Sequence, residues 1–204
     1  MPLLHSLILL LALPALLCQC ATPATLAKSS TATPSQLLTY SRVTQRLAAA
    51  VPTDITCRPI SWKFSVRPSP NINAASWPSG RVEVTTGLLT FVKNEPELAA
   101  VLAHEMAHIY ARHGPQRVAH TVAALFTLTL TTLPAFARQQ EFHADRLSLD
   151  LLRRAAYPLQ SALQFWQRYA AHRASLGLGQ AHWWKAHPPD AERLRRFQQL
   201  LLPQ

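Results

Sequence analysis

The sequence predicts a mostly helical α+β domain with a small antiparallel sheet beside its main helix. Apolar residues recur at helical spacing in several long segments, whereas the region from about 60 to 90 alternates apolar and polar residues at strand spacing. Apolar residues make up 49% of the 204 positions, as in globular proteins and unlike disordered chains. One domain behind an N-terminal leader accounts for a chain of this length.

The N-terminus has the pattern of a secretory leader. Residues 3–17 are almost entirely apolar but form too short a run for a comfortable membrane span. Cys18 and Cys20 stand where a bacterial lipoprotein carries its acylated cysteine, so lipidation remains an alternative to plain cleavage, and a buried N-terminal helix is a further one. We expect the mature chain to lie outside the cytoplasm.

Composition divides the chain into three parts. We assign residues 1–20 to a signal peptide and residues 21–36, rich in Ala, Thr, Ser and Pro, to a flexible tether. Residues 37–204 then form the folded domain. Cys57 is the one cysteine certain to remain after leader removal, so folding must rest on the apolar core rather than on an internal disulfide.

The first helix and the sheet come early in the domain. Apolar residues at helical spacing predict a helix from about Leu37 that ends before Pro52. Alternation then predicts three short strands, at residues 62–66, 72–77 and 82–84, with Pro78-Ser79-Gly80 as the turn between the last two. Their order and spacing favour an antiparallel sheet.

Five further helices are expected. Asn94 is a good N-cap and Gly114 a good C-terminal stop, which predicts a helix from Glu95 to His113. The remaining helices are predicted at residues 116–133, 134–156, 159–172 and 190–202. The apolar run 118–133 indicates a buried helix, with a membrane-inserted hairpin as the alternative, because it is shorter than a span.

The balance of charges bears on partners. The formal net charge is +10, which favours binding to anionic surfaces such as acidic lipid. A peripheral contact with an anionic membrane is therefore one expectation. No run of Arg and Lys is interleaved with aromatic residues, and no zinc-finger spacing occurs. We expect no nucleic-acid partner.

The run His104-Glu105-Met106-Ala107-His108 carries the strongest chemical signal. Residues four apart share one face of a helix, so His104 and His108 can direct two imidazoles at one Zn²⁺ ion. Glu105 then lies beside the metal as general base for its water. Flanking apolar residues predict that this helix is buried, and burying two imidazoles without partners would cost free energy.

A catalytic zinc needs a third protein ligand, and Glu141 is the candidate. Asp145, one turn later on the same face, can accept the free N–H of a zinc-bound histidine. His143 points about 160° away from Glu141 around the helix and is not expected to be a ligand. Spacing alone leaves open that Glu141 is an exposed carboxylate, and His187, in an extended segment before Pro188, is weak evidence by itself.

Several stretches share their residues with one enzyme family. They are Asn73-Ala74, Pro78-Ser79-Gly80, Thr86-Gly87-Leu88-Leu89, residues 97–108, Gln140-Glu141, Ala144-Asp145, His187-Pro188 and Arg193. From about residue 37 to the C-terminus, the chain resembles the HtpX-like, CAAX prenyl protease-like metallopeptidases, which are the gluzincins of peptidase family forty-eight.

The resemblance implies a zinc site of His104, His108 and Glu141 with Glu105 as catalytic base. It further implies that Asp145 supports a ligand from the second shell of the site, that His187 stabilises the oxyanion and that Arg193 orients the site. Single-domain relatives work in the bacterial envelope, often as lipoproteins, on unfolded or misassembled proteins, so a periplasmic or membrane-anchored location is implied.

Together these observations predict a zinc endopeptidase with one Zn²⁺ per chain and an edge strand that binds an extended peptide. The alternative is a metal-binding chaperone or assembly factor of the envelope that holds unfolded clients without cutting them. Glu105 favours the enzyme, because a metal site without catalysis does not need that carboxylate.

Overall fold

The computed structural model describes residues 31–52, 59–176 and 191–202. The elements follow in this order: α1 (Pro34–Ala50), β1 (Lys63–Arg67), β2 (Ala74–Ser76), β3 (Arg81–Thr85), α2 (Thr86–Phe91), α3 (Glu95–Tyr110), α4 (His113–Thr127), a 3-10 helix (Leu130–Thr132), α5 (Leu133–Arg154), α6 (Gln160–Ser175) and α7 (Ala191–Leu200). The prediction of a mostly helical α+β domain is confirmed. The predicted signal peptide and most of the predicted tether lie outside the described residues.

The first helix starts slightly earlier than the sequence predicts. Thr33 and Gln36 form a capping box: the Thr33 side chain accepts from the Gln36 backbone N–H, and the Gln36 side chain accepts from the Thr33 N–H. With these two donors satisfied, α1 begins at Pro34 rather than near Leu37.

The sheet is mixed, so the expectation of an all-antiparallel sheet is wrong in one pairing. The strand order is β1-β3-β2, with β2 antiparallel to β3 and β1 parallel to it. The parallel pairing depends on contacts of Ser69, which follows β1. The Ser69 carbonyl oxygen accepts from the Gly87 N–H at 2.8 Å, and the Ser69 N–H donates to Thr86 Oγ1 at 3.0 Å. These contacts carry the chain across the end of β3 to its far side.

Gly80 and Gly87 permit this arrangement. Gly80 has φ +88° in the β2–β3 turn, a conformation that L side chains rarely adopt. At Gly87, an added Cβ would lie 2.3 Å from the carbonyl oxygen of Pro70, so the segment after β1 can approach α2 only because no side chain is present.

Helix α3 is the centre of the molecule. Its residues are buried from Glu97 to Tyr110, and it packs against α1, α5, α6 and the sheet. Asn94 caps it as predicted, accepting from the Glu97 N–H at 2.9 Å. The helix ends at Tyr110 instead of His113, because Arg112 turns into the left-handed region at φ 58° and starts α4. Gly114 therefore lies inside α4 and is not the stop.

The expected burial of the 118–133 run is wrong. Only His113 and Ala124 are buried within α4, whereas Val118, Phe126 and Leu128 are exposed. The helix packs along α5 and the 3-10 helix but extends past the core, so its apolar residues have no third layer to cover them in the described part of the chain. Among the described residues, no helix has both the length and the apolar character needed to cross a membrane.

Candidate active site

The two histidines of the HExxH run meet on the buried face of α3. His104 is fully buried and His108 is 8% exposed, and their Nε2 atoms lie 3.2 Å apart. One helical turn separates them, which places both rings over the same point. Two imidazole nitrogens thus converge on one buried point.

Helix α5 brings the third group. Glu141 Oε2 lies 3.3 Å from His104 Nε2, and its Oε1 lies 3.4 Å from His108 Nε2. The three ligand atoms all fall within 4.8 Å of one another. Small residues make this possible, since Ala103 and Ala107 on α3 and Ala144 on α5 are fully buried and let the two helices approach closely.

A second layer holds this cluster in place. Asp145 Oδ1 lies 3.1 Å from His104 Nδ1. The Arg193 guanidinium, from α7, binds Asp145 through two bonds of 2.6 and 2.7 Å and lies 3.2 Å from Glu141 Oε2. Its flat face lies 4.6 Å from the ring centre of Trp166. The guanidinium therefore bridges the metal-site carboxylate and its supporting aspartate.

Burial shifts the pKa of His104 and of Asp145 in one direction, and contacts with oppositely charged partners shift it in the other. Burial and the Arg193 charge would lower the pKa of His104, but hydrogen bonds with Asp145 and Glu141 raise it to about 9. Burial would likewise raise the pKa of Asp145, but Arg193 and His104 hold it below its usual range. The Asp145 carboxylate thus stays ionised and favours a positive charge at the site, such as a metal ion.

Glu105 lies beside the cluster without being part of it. Its side chain is fully buried, and Ser76 Oγ donates a 2.7 Å hydrogen bond to its Oε2. Ser76 is the last residue of β2, one of the two outer strands in the described sheet. The carboxylate is therefore held between the metal cluster and the strand edge.

A small pocket opens next to His108. Its volume is about 150 Å³, and its walls come from the end of β2, α3 and the start of α4, including Trp77, Ile109 and Arg112. Ser76 also lines the pocket, so a peptide bound along β2 would have room for a side chain next to His108.

The donor set suits zinc. Two imidazoles and one carboxylate are a known ligand set of catalytic zinc sites, which leave a fourth position open. The described part of the chain contains no other cluster of at least three such side chains. The model of peptidase family M48 matches residues 35–136 and 114–201, which includes all of these positions.

The chain belongs to peptidase family M48.

Relatives of this M48 chain include mitochondrial and bacterial proteins. It is 32% identical over 160 residues to the mitochondrial metalloendopeptidase OMA1 of Schizosaccharomyces pombe, covering 70% of this chain and 47% of that protein. It is 30% identical over 128 residues to a putative β-barrel assembly-enhancing protease of Vibrio cholerae, covering 49% of this chain and 26% of that protein. A protein from Yersinia pestis named for the same role is 29% identical over 127 residues, with 48% and 26% coverage. The chain thus spans half or less of the length of these relatives.

The structure therefore brings together six of the seven predicted residues of the M48 site. His104, His108, Glu141, Asp145 and Arg193 form one buried network, with Glu105 beside it. His187, the expected oxyanion donor, lies outside the described residues. Glu141 is 2% exposed, which is contrary to the alternative of an exposed helix carboxylate.

Sequence reasoning missed a histidine that supports His108. His113 Nδ1 lies 2.9 Å from His108 Nδ1, and His113 Nε2 lies 3.0 Å from His143 Nδ1. Burial and the nearby His143 lower the pKa of His113 to about 4, so it is neutral at pH 7. A neutral His113 can accept the His108 N–H at one nitrogen and donate from the other. The left-handed backbone conformation of Arg112 allows His113 to reach His108, and helix periodicity could not predict this turn.

Ser76 and Trp166 were also missed. Ser76 lies on β2 and contacts Glu105, whereas Trp166 lies on α6 and contacts Arg193. Both are distant in sequence from the HExxH run, so neither shares a local pattern with it. Ser76 follows the Asn73-Ala74 stretch, and that proximity to a family motif was the one signal that could have singled it out.

Proposed function

We propose that the chain is a zinc-dependent endopeptidase that holds one Zn²⁺ through His104, His108 and Glu141. The observation that carries this proposal is the position of Glu105, which is fully buried next to the ligands and hydrogen-bonded by Ser76. A site built only to store metal has no use for a buried carboxylate that does not bind it.

The reaction follows from the roles of these side chains. When bound, zinc supplies a Lewis acid that polarises the scissile carbonyl and makes water a nucleophile near neutral pH. Glu105 accepts the proton of the attacking water and delivers it to the leaving amine. The Ser76 hydroxyl keeps the Glu105 carboxylate oriented while the proton moves.

Asp145 and Arg193 have positioning roles. Asp145 accepts the Nδ1–H of His104, which leaves Nε2 with its lone pair directed at the metal position. Arg193 fixes Asp145 through two bonds and approaches Glu141, so one guanidinium aligns two members of the site. His187 is proposed as the donor to the oxyanion, on the family resemblance of His187-Pro188.

We propose unfolded or misassembled polypeptides as substrates, bound in an extended form along β2. The edge of β2 is unpaired among the described strands, and its last residue contacts the proposed base. Strand addition would place the scissile bond next to the cluster of His104, His108 and Glu141. Recognition would then depend on the main-chain groups of the substrate rather than on its side chains.

The proposed location is the bacterial envelope, and the HtpX-like peptidases are the proposed subgroup. The apolar segment of residues 3–17 and the two bacterial relatives named for β-barrel assembly support this location. The similarity to mitochondrial OMA1 supports the protease activity but does not support the bacterial location.

The decisive experiment separates metal binding from cleavage. Zinc content and casein cleavage would be measured side by side on the parent chain and on Glu105→Gln, with Glu95→Gln on the same helix as the matched control. We expect Glu105→Gln to keep its zinc and to lose about 10²–10⁴-fold in turnover, because the general base is gone.

The control variant should behave like the parent in both assays. If Glu105→Gln cleaves casein at the parental rate, with contaminating proteases excluded, the hydrolase proposal fails and the metal-binding chaperone replaces it.

A further inference from the structure

An apolar helical hairpin projects from the core between the two metal-binding helices. We call residues 118–137 the apolar hairpin; it comprises most of α4, the 3-10 helix and the start of α5. Its 20 residues include no Asp, Glu, Lys or Arg. Phe126 is 86% exposed and Leu128 is 89% exposed at the tip. Val118, Val122, Leu125 and Leu130 are exposed as well.

Three threonine hydroxyls of the hairpin are satisfied by nearby backbone carbonyls. The hydroxyls of Thr121, Thr127 and Thr132 donate to backbone carbonyls at 2.8, 2.9 and 2.8 Å, each within the hairpin or one turn before it. At the tip, the Thr129 N–H donates to the carbonyl of Ala124 at 3.0 Å. Internal satisfaction of this kind is what an apolar solvent demands of a polypeptide.

Leu128 has a backbone conformation that favours glycine. It follows α4 at φ 55°, the left-handed position at which helices commonly place glycine. A leucine there is strained, and its exposed side chain contributes almost no packing to the fold. A large, exposed apolar side chain therefore stands at the tip in spite of the backbone strain.

The base of the hairpin is basic. Arg117 and Arg138 flank it, Arg112 lies one turn earlier, and the sequence has no acidic residue between Glu105 and Glu141. Arginines at the ends of an apolar segment match the headgroup level of a bilayer with anionic lipids, and the net charge of +10 acts in the same direction.

We propose that the apolar hairpin inserts its tip into the interface of an anionic membrane and so holds the active site at the lipid surface. Arg112 and Gly114, which precede the apolar hairpin, line the pocket beside His108, so the helix that leads into the hairpin starts at the edge of the site. Lipid fits better than a protein partner, because a protein interface normally has a polar rim and this tip offers no charged group. The proposal does not depend on the protease activity.

The test uses a fluorescent probe that reports on the hairpin itself. In the full chain, with Cys18, Cys20 and Cys57 replaced by Ser, Thr131→Cys at the tip is labelled with an environment-sensitive dye. Gln45→Cys, exposed on α1, carries the same dye as the matched control. Vesicles are either phosphatidylcholine or an equimolar mixture with phosphatidylglycerol.

We expect the Thr131 dye to brighten and shift to the blue with the anionic vesicles, less so with phosphatidylcholine, while the Gln45 dye stays unchanged. Adding Phe126→Ser and Leu128→Ser should lower partition about tenfold or more, because each removes apolar surface from the lipid. Leu38→Ser, an exposed leucine on α1, should leave partition at the parental value.

A Thr131 dye that does not respond to vesicles overturns the proposal. So does a blue shift that appears with rising protein concentration in the absence of lipid, which would assign the tip to a second copy of this chain. Because the dye readout needs no catalysis, a failed cleavage assay would leave the membrane proposal intact.

Discussion

At the residue scale, each of the two proposed metal-binding histidines has its own support. His104 contacts Asp145, which Arg193 holds, whereas His108 contacts His113. The two supports differ chemically: one is an ionised carboxylate and the other is a neutral imidazole. Because a hydrogen bond at the far nitrogen fixes the tautomer and ring angle, both supports should tune metal affinity.

His113→Ala should weaken zinc binding about 10–100-fold, because His108 loses the acceptor for its Nδ1–H. His113→Asn should retain most of the affinity, since the asparagine Oδ1 can occupy the position of the histidine Nδ1 and accept the same bond. Competition with a zinc-binding dye would measure both variants, and circular dichroism would check that they fold. Equal affinities for Ala and Asn would show that His113 only fills space.

At the element scale, contacts between distant segments decide the geometry around the site. The sequence predicted β2, β3 and their turn, as well as α3 with its Asn94 cap, from local patterns. It did not predict α2, which follows β3 without a break. Nor did it predict the parallel pairing of β1, because that pairing depends on the Ser69 contacts with Thr86 and Gly87.

Gly87→Ala should lower the free energy of unfolding by about 1–3 kcal/mol, because the new Cβ would lie 2.3 Å from Pro70 O and 2.4 Å from Asn71 O. Thr90→Ala, on the exposed side of the same helix, is the matched control and should change stability by no more than about 0.5 kcal/mol. Urea unfolding would measure both. Parental stability in Gly87→Ala would mean that the segment after β1 can move away at little cost.

At the scale of the whole molecule, the proposed metal site brings residues of three separate helices together. The ligands come from α3 and α5, and Arg193 of α7 contacts Asp145 and Glu141. Several ionised groups are buried together there, which is favourable only while they compensate one another. A bound Zn²⁺ would add compensation, and the three proposed ligands meet only in the folded arrangement.

Removing zinc should therefore destabilise the entire domain. At free zinc about 100 times its Kd, binding contributes about 2.7 kcal/mol, or ~5–10 °C in Tm for a chain of this size. Thermal unfolding with and without a chelator would measure the difference. Glu105→Gln keeps all three ligands and should show the same shift, while His104→Ala should show almost none. A full shift in His104→Ala would place the stabilising metal elsewhere.

The sequence by itself determined the helical α+β class, the position of α3 and the chemical types of the metal-site residues. It could do so because helix spacing, capping and the pairing of His104 with His108 are local properties of the chain. Tertiary structure alone decided that Ser76, His113 and Trp166 join the site, that β1 runs parallel to β3, and that the apolar hairpin extends past the core. Those outcomes depend on contacts between segments distant in sequence or on a left-handed turn at Arg112, and no local pattern encodes which surface an apolar segment will find.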